Sequence, residues 1–326
     1  MSLLFRLGRR AVVSTLLVAC SAVAHAADFP SRAVNIVVPF PPGGATDLTA
    51  RIVAQGLSQK WGQSVVVSNK PGAGGNVGSE FVARSEPNGY TIVVGVTGSH
   101  GINTSLYSKM SYEPLKDFQP VTLATLYPNA IVVNPDVPAS NLQDLLKLLK
   151  ANSNKYVYGS DGNGTASHLG MELLRERAGV EITHVPYRGS TPMITDLMSG
   201  QIQVGITGLP AVLPHIKAGR LKLIAITTGQ RFPSTPDLPT VAEQGFGGYA
   251  AAPWSGFFVP AGTPAEIVKK ISADMRDVMN DPDLRQKIAD AGSVFTPSTP
   301  EEFHQFVSDE IKKWADAVKI SGARVD

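Results

Sequence analysis

Short apolar runs alternate with amphipathic stretches along most of this chain of 326 residues. In the first half, strand-like runs at 35–38, 64–68 and 90–96 are separated by helical patterns at 46–60 and 77–85. A helical pattern is one in which apolar residues recur every three to four positions. Strands that are separated by helices indicate βαβ units and a mostly parallel sheet, so the pattern predicts an α/β fold.

The second half repeats this alternation after a strand-like run at 129–134 and a leucine-rich helix at 141–151. About 300 residues exceed the usual size of a single hydrophobic core, so we expect two lobes. We predict that 27–130 and 256–326 form lobe 1, that 131–255 form lobe 2, and that the two chain crossings make a hinge. We expect the last helix to dock on lobe 1. The remaining strands are predicted at 156–159, 181–185, 203–206 and 222–227, and the remaining helices at 166–178, 191–199, 210–220, 264–279, 282–291 and 300–321.

Two glycine-rich turns, each between a strand and a helix, are the most informative part of this pattern. The first spans 39–47 and the second spans 160–168, and neither contains Lys or Arg. Such turns direct several backbone N–H groups and the positive end of a helix dipole at one point. The sequence therefore predicts that each lobe offers an anion-binding turn to a shared cleft, an arrangement that suits a small carboxylate.

Side chains in these turns and at the strand ends are candidates for ligand contacts, and several have a structural alternative. Asp47 could be a functional acid, but a carboxylate in the first turn of a helix more often acts as a cap. His168 could contact a ligand or hold its own turn, and Tyr187 could form a wall of the pocket. The predicted ligand-binding residues are Phe40, Pro41, Gly43, Gly44, Ala45, Thr46, Asp47, Thr97, Gly98, Ser99, Ser160, Asp161, Gly164, Thr165, Ala166, Ser167, His168, Tyr187 and Thr207.

The first 26 residues are predicted to be a secretory signal. Three arginines precede the apolar run 11–19, and the Ala-His-Ala at 24–26 fits a cleavage site. The apolar run is shorter than the roughly 20 residues that a membrane-spanning helix needs. Residues 17–20 also resemble a lipobox, so a lipid anchor at Cys20 is an alternative.

Composition and motifs argue against several classes of protein. Cys20 is the only cysteine, and without residues 1–26 the net charge changes from +2 to −1, with 26 basic and 27 acidic residues. A near-neutral chain is not typical of proteins that bind nucleic acid or anionic membranes. No phosphate-binding G-x-x-x-x-G-K, no G-x-S-x-G and no histidine pair with metal-ligand spacing occurs. We therefore predict no catalytic residue, no metal and no cofactor.

An ordered series of motifs resembles the substrate-binding proteins of tripartite tricarboxylate transporters, the Bug family of periplasmic solute receptors. The motifs begin with Pro-Phe-Pro-Pro-Gly-Gly at 39–44, followed by Asp47, and extend almost to the end of the chain. The other matching segments are 69–75, 112–121, 167–173, 185–189, 214–219 and 260–264.

The resemblance implies a two-lobed periplasmic binding protein fold, type II-like, in which each lobe is a mostly parallel sheet flanked by helices. It implies a monomeric periplasmic protein that captures a small organic acid and delivers it to an integral membrane permease, without catalysis. Backbone groups and bridging waters of the turns 40–47 and 160–168 would hold one carboxylate. A sensor that presents its liganded form to a membrane kinase is an alternative, as is an enzyme with a site assembled from Asp47, Ser99, His100, Asp161 and His168.

This sequence departs from the family pattern at two positions. Asp161 places a carboxylate in the second turn, where the family more often has a small neutral residue. Thr207 stands at a strand end where the family often has an acidic residue. Asp161 could point to solvent or could select a ligand with a positive group, so the identity of the acid stays open among dicarboxylates, aromatic acids and amino acids.

Overall fold

Two sheets flanked by helices make up the computed structural model, which describes residues 29–152, 155–233 and 235–325. The predicted signal at 1–26 and the lipobox cysteine, Cys20, lie outside the described residues. The strands are β1 (Val34–Val38), β2 (Val65–Asn69), β3 (Thr91–Val96), β4 (Phe118–Leu126), β5 (Asn129–Val133), β6 (Val157–Ser160), β7 (Thr183–Pro186), β8 (Val204–Gly208), β9 (Lys222–Ile226), β10 (Trp254–Pro260) and β11 (Val294–Phe295).

The helices alternate with the strands, as the hydrophobic pattern predicts. A short 3-10 turn (Ala73–Gly75) precedes α2, and a π-helical turn (Gly98–Ile102) precedes α3. No helix in the described ranges combines the length and the apolar character needed to cross a membrane. The helices are α1 (Ala45–Trp61), α2 (Asn76–Ala83), α3 (Asn103–Leu106), α4 (Leu142–Ala151), α5 (Ala166–Ala178), α6 (Ser190–Met198), α7 (Leu209–Lys217), α8 (Ala265–Met279), α9 (Pro282–Asp290) and α10 (Pro300–Ser321).

The two sheets share one topology. The first has the order β2-β1-β3-β10-β4-β11 and the second has the order β7-β6-β8-β5-β9. In the first sheet β1 pairs in parallel with β2 and β3, and in the second β6 pairs in parallel with β7 and β8. The antiparallel strands β10 and β5 are the ones that arrive from the other sheet. The predicted two-lobed α/β fold is confirmed, and each sheet, expected to be mostly parallel, is mixed because an antiparallel strand arrives from the other sheet.

The chain changes sheets between β4 and β5 and again between β9 and β10, and these crossings are bonded to each other. The N–H of Tyr127 donates to the carbonyl of Pro253 at 3.2 Å, and the N–H of Thr227 donates to the carbonyl of Asn129 at 3.0 Å. Strand pairing assigns 129–130 to the second sheet and 254–255 to the first. The division into lobes stays a prediction, and strand pairing would start lobe 2 at 129 instead of 131 and the second part of lobe 1 at 254 instead of 256.

The last helix, α10, docks on the first sheet, as expected, and it also reaches the apolar core around α4 and α5. Near its start, Phe303 and Val307 belong to an apolar cluster with Phe258 of the first sheet. Near its end, Trp314 and Val318 belong to the apolar core around α4 and α5. The helix is long enough, at 22 residues, to reach both clusters.

A single buried carboxylate joins α10 to the strand that returns from the second lobe. Glu310 is 7% exposed, and its Oε2 accepts hydrogen bonds from the indole N–H groups of Trp254 at 2.9 Å and Trp314 at 2.7 Å. Its other oxygen is paired with Lys313. Two indole N–H groups in an apolar core need an acceptor, and this one side chain supplies it.

Replacing Glu310 by alanine is expected to lower the free energy of unfolding by roughly 2–4 kcal/mol, because two buried donors lose their acceptor. Denaturant unfolding followed by circular dichroism measures the loss. Asp316→Ala, at an exposed position of the same helix, is the matched control and should change stability by less than about 0.5 kcal/mol. Equal losses in the two variants would contradict a stabilising role for this contact.

Candidate functional site

The first glycine-rich turn leaves the start of α1 without a side-chain cap. Gly44 is the N-cap residue, with φ −82° and ψ 171°, and no side chain bonds the first N–H groups of the helix. A Cβ added at Gly43 or at Gly44 would meet nothing within 4 Å. The first N–H groups of a helix have no acceptor within it, so those of α1 are available to a ligand beside this open turn.

Asp47 holds the first turn in shape, and both oxygens of its carboxylate already accept hydrogen bonds. Its carboxylate accepts the N–H of Gly43 at 3.0 Å, a forked pair of bonds from Arg51 at 2.8 and 3.0 Å, and the Asn69 amide at 2.9 Å. Burial alone would raise the pKa of Asp47, but the donors Arg51, Gly43 and Asn69 together hold that pKa below its ordinary value of 3.8. The geometry therefore favours the capping interpretation of Asp47 over direct contact with a ligand.

The second turn is capped, unlike the first. Thr165 is the N-cap of α5, and its hydroxyl accepts the N–H of His168 at 3.3 Å. Gly164, with φ +71°, lies against Leu106 of the first half of the chain, and a Cβ there would come within 1.8 Å of that leucine. The second turn is thus seated directly on the segment that follows β3, which brings the two halves of the chain together beside the predicted cleft.

Asp161 is the acidic side chain of the second turn, and hydroxyl groups surround its carboxylate. Oδ1 accepts from Thr207 at 2.6 Å and Oδ2 accepts from Ser167 at 3.2 Å. Burial raises the pKa of Asp161 to about 6, against the lowering effect of these two hydroxyls. The two departures from the family pattern, Asp161 and Thr207, are therefore in direct contact.

Two stacked histidines contact the second turn through hydrogen bonds to Gly164 and Ser160. The rings of His168 and His184 lie 4.0 Å apart and almost parallel, and His168 Nδ1 accepts the N–H of Gly164 at 3.0 Å. His184 Nε2 lies 2.7 Å from the hydroxyl of Ser160, which is fully buried. Burial lowers the pKa of each histidine to about 4, so both rings are neutral near pH 7. These contacts give His168 the turn-holding role.

The side chains that follow β3 face the protein interior. The Thr97 hydroxyl accepts the N–H of Trp254 at 2.7 Å, which ties the end of β3 to the returning strand. Ser99 is fully buried, and its hydroxyl lies 2.9 Å from His100 Nδ1. Burial lowers the pKa of His100 to about 3, and its ring stacks on Phe258. A buried serine–histidine pair of this kind is a core contact that a ligand cannot reach in this conformation.

Tyr187 lies beside the second turn, as its position after β7 predicts. Its N–H donates to the carbonyl of Ser160 at 3.2 Å, and its hydroxyl donates to Asp196 at 2.7 Å. Burial, reinforced by Asp196, raises the pKa of Tyr187 to about 12. The ring is therefore fixed beside Gly159 and the second turn, with its hydroxyl already used.

The predicted residues thus fall into three groups, and the structure shows further residues that hold the turns. Buried side chains that form hydrogen bonds in or beside the turns are Asp47, Thr97, Ser99, Ser160, Ser167, His168 and Thr207. Residues with exposed or partly exposed surface are Phe40, Pro41, Gly43, Gly44, Ala45, Gly98, Asp161, Thr165 and Tyr187. The third group, Thr46, Gly164 and Ala166, is buried. Sequence reasoning did not assign roles to Arg51, Asn69 and Tyr127. The i, i+4 spacing of Asp47 and Arg51 on a helix was a usable signal for the first of these.

A separate cavity of about 520 Å³ lies beside α5 and β7. It is lined by His168 of the second turn and by His184 of β7, but by no residue of the first turn, so it does not lie between the lobes. Its charged lining is Glu172, Arg175 and Glu181, and Arg175 forms an ion pair with each of the two glutamates. Within the described part of the chain, no three His, Cys, Asp or Glu side chains are placed to hold a metal ion.

Replacing Asp47 by asparagine is expected to lower the free energy of unfolding by roughly 1–3 kcal/mol at pH 7, because the charged acceptor of the first turn is lost. The folded-state pKa is depressed, so wild-type Asp47 stabilises above about pH 3.8 and loses this contribution as the pH falls through its folded pKa. Denaturant unfolding at pH 7 and below pH 3 should show the difference between the proteins shrinking. Asp136→Asn, at an exposed position, is the control, and a difference that is constant with pH would contradict the assignment.

Comparison with known proteins identifies the family. Residues 49–322 match the model of the tripartite tricarboxylate transporter family receptor. The chain is 34% identical over 298 residues to the protein BugT of Bordetella pertussis, covering 91% of each chain. Two solved structures are also similar. R. palustris Rpa4515 with adipate has a TM-score of 0.86 at 36% identity, covering 91% of this chain and 99% of that one.

The second structure is MatC (Rpa3494) from Rhodopseudomonas palustris with bound malate, with a TM-score of 0.80 at 32% identity, covering 89% of this chain and 100% of that one. The family match covers well over half of the chain, and both structural matches extend over its two sheets. The fold, the motifs of the two turns and these similarities agree: the chain belongs to the tripartite tricarboxylate transporter receptor family, whose members include Bug proteins.

Proposed function

We propose that this protein is a periplasmic substrate-binding protein that captures a small organic carboxylate between its lobes and delivers it to a tripartite tricarboxylate-type membrane permease. It acts as a monomer, needs no cofactor and does not change its ligand chemically. The N-terminal signal directs it to the periplasm. The carboxylate is held by backbone N–H groups at the start of α1 and of α5, with Phe40 and Tyr187 beside it.

The open, uncapped start of α1 is the observation that carries this proposal. Ser, Thr, Asp and Asn are favoured N-cap residues because their side chains bond the first N–H groups, whereas α1 begins at Gly44, with open space on its side-chain face. Asp47 fixes the shape of the turn without occupying that space. A ligand carboxylate in this position would accept the free N–H groups and would interact favourably with the helix dipole.

The relatives support a carboxylate as the ligand class, because the solved structures with similar folds hold adipate and malate. The absence of Lys and Arg from both turns favours binding through backbone groups. Bridging waters would let one such site accept acids of different shape.

The enzyme alternative has little support in the geometry. Of its five candidate residues, Ser99 and His100 are fully buried. The carboxylate of Asp47 already accepts hydrogen bonds from Arg51 and Asn69. His168 is neutral and accepts a backbone N–H, which leaves Asp161 without a partner suited to acid–base chemistry. The sensor alternative uses the same site and differs only in the membrane partner.

A thermal-shift screen of the purified protein against organic acids, including adipate and malate, tests the proposal. A ligand that binds only the folded state adds about 2.7 kcal/mol of stability at a hundredfold excess over its dissociation constant. Recovery of the unchanged acid after incubation separates binding from turnover. Mass spectrometry of material released on denaturation detects a ligand that was already bound.

Replacing Gly44 by aspartate is expected to weaken carboxylate binding at least tenfold, because the new carboxylate occupies the helix start and repels the ligand. Stability should change by only a few tenths of a kcal/mol, since aspartate is a good N-cap and the position has room for a side chain. Isothermal titration measures the affinity, and urea unfolding measures the stability.

Two further variants make the result specific. Gly44→Asn supplies a cap without a charge and should weaken binding less than aspartate does. Gly247→Asp adds the same charge at an exposed glycine with open surroundings and should leave affinity unchanged. Undiminished binding in Gly44→Asp would remove the main support for the proposed site.

A further inference from the structure

Asp161 differs from the other acid of the two turns in having no cation beside it. The Asp47 carboxylate accepts two hydrogen bonds from the Arg51 guanidinium, whereas the Asp161 carboxylate accepts only from the neutral hydroxyls of Thr207 and Ser167. Among the described residues, no positive side chain contributes to the pKa of Asp161, which burial raises. A partly buried carboxylate without a positive partner is unfavourable unless something else supplies the charge.

The surroundings of Asp161 place it at the hinge side of the predicted cleft. Its partner Thr207 lies at the end of β8, next to Gly208, where a Cβ would come within 3.1 Å of the ring of Tyr127. Tyr127 lies in the first chain crossing and bonds the second crossing through its N–H. The pKa of the Tyr127 phenol is raised by burial and then by the charge of Asp161, so the two groups are near neighbours.

The same turn that carries Asp161 also contacts residues assigned to the predicted lobe 1. Gly164 rests on Leu106, and the Asn163 amide donates to the carbonyl of Arg324 at 3.0 Å. Asp161 is therefore fixed between the hinge and the contact with the first lobe, on the turn proposed to face the ligand. The Thr207 and Ser167 hydroxyls hold its carboxylate in one orientation.

We propose that Asp161 selects ligands that carry a protonated amine as well as a carboxylate, and that it disfavours dicarboxylates. This inference rests on the proposed function, in which the start of α1 holds the ligand carboxylate. The amine would pair with Asp161, supplying the charge that the chain itself lacks there. A second carboxylate in the same position would meet a like charge, which gives discrimination by repulsion as well as by attraction.

Matched pairs of ligands test the inference by isothermal titration at pH 7.5, where an acid with a pKa of about 6 is ionised. The pairs are ω-amino acids and dicarboxylates of equal chain length, from three to six carbons, together with α-amino acids and their 2-hydroxy analogues. The wild-type protein should bind the amine member of at least one pair about tenfold more tightly. Asp161→Asn, which keeps the shape and a hydrogen bond to Thr207, should lose that preference and bind the dicarboxylate better.

Controls separate this inference from the proposed function. Asp136→Asn removes an exposed charge just after β5 and should leave the ratio of affinities unchanged, and Asp161→Glu should retain part of the preference. Tighter binding of dicarboxylates by the wild type, or an unchanged ratio in Asp161→Asn, overturns the role of Asp161 while carboxylate binding stands. Failure of every carboxylate to bind, with release of a compound lacking a carboxyl group on denaturation, overturns the proposed function instead.

Discussion

The first backbone N–H groups of a helix need acceptors that the helix cannot supply, and this constraint determines the character of the candidate site. At four of the described helix starts a side chain meets the need, as Thr165 does for α5. At the start of α1 the chain has glycine, and the one nearby carboxylate, Asp47, is turned to Gly43, Arg51 and Asn69. The fold thus preserves a set of oriented donors, and the proposed ligand is the missing acceptor.

The shared topology of the two sheets explains why two such turns lie near each other. The first turn follows β1 and the second follows β6, which occupy equivalent positions in their sheets. Ligands of open α/β sheets bind beyond the carboxyl ends of parallel strands, so each turn lies where its lobe is expected to bind. The two turns differ in their side chains: the first has open space beside Gly44, and the second has the Thr165 cap and the Asp161 carboxylate.

Much of the fold could be predicted from the sequence, because its helices and strands have clear periodicity and turn residues. The helix at 166–178 was predicted with the bounds that the structure has. Strand β4 was not predicted, since it contains Pro120 and polar residues at buried positions. Thr122 and Thr125 are satisfied there by Ser298 and Ser255, partners more than a hundred residues away that no local pattern reveals.

The candidate site was predictable only in part, for the same reason. Glycine turns and helix starts are local features, and the sequence located both of them. The contact between Asp161 and Thr207 joins positions 46 residues apart and depends on β6 and β8 lying side by side. The burial of Ser99 likewise depends on packing around His100 and Phe258, so a position after a strand was not sufficient evidence of access to the cleft.

The span of α10 across both lobes has a consequence for how the cleft can open. A rotation that moves α5 away from the first sheet must carry the last turns of α10 with it or expose Trp314, Ala317 and Val318 to water. Exposing apolar surface costs free energy in proportion to its area, so the packing of α10 on both sides opposes such a rotation. The proposed ligand would then have less conformational work to do on binding, and its release would require more.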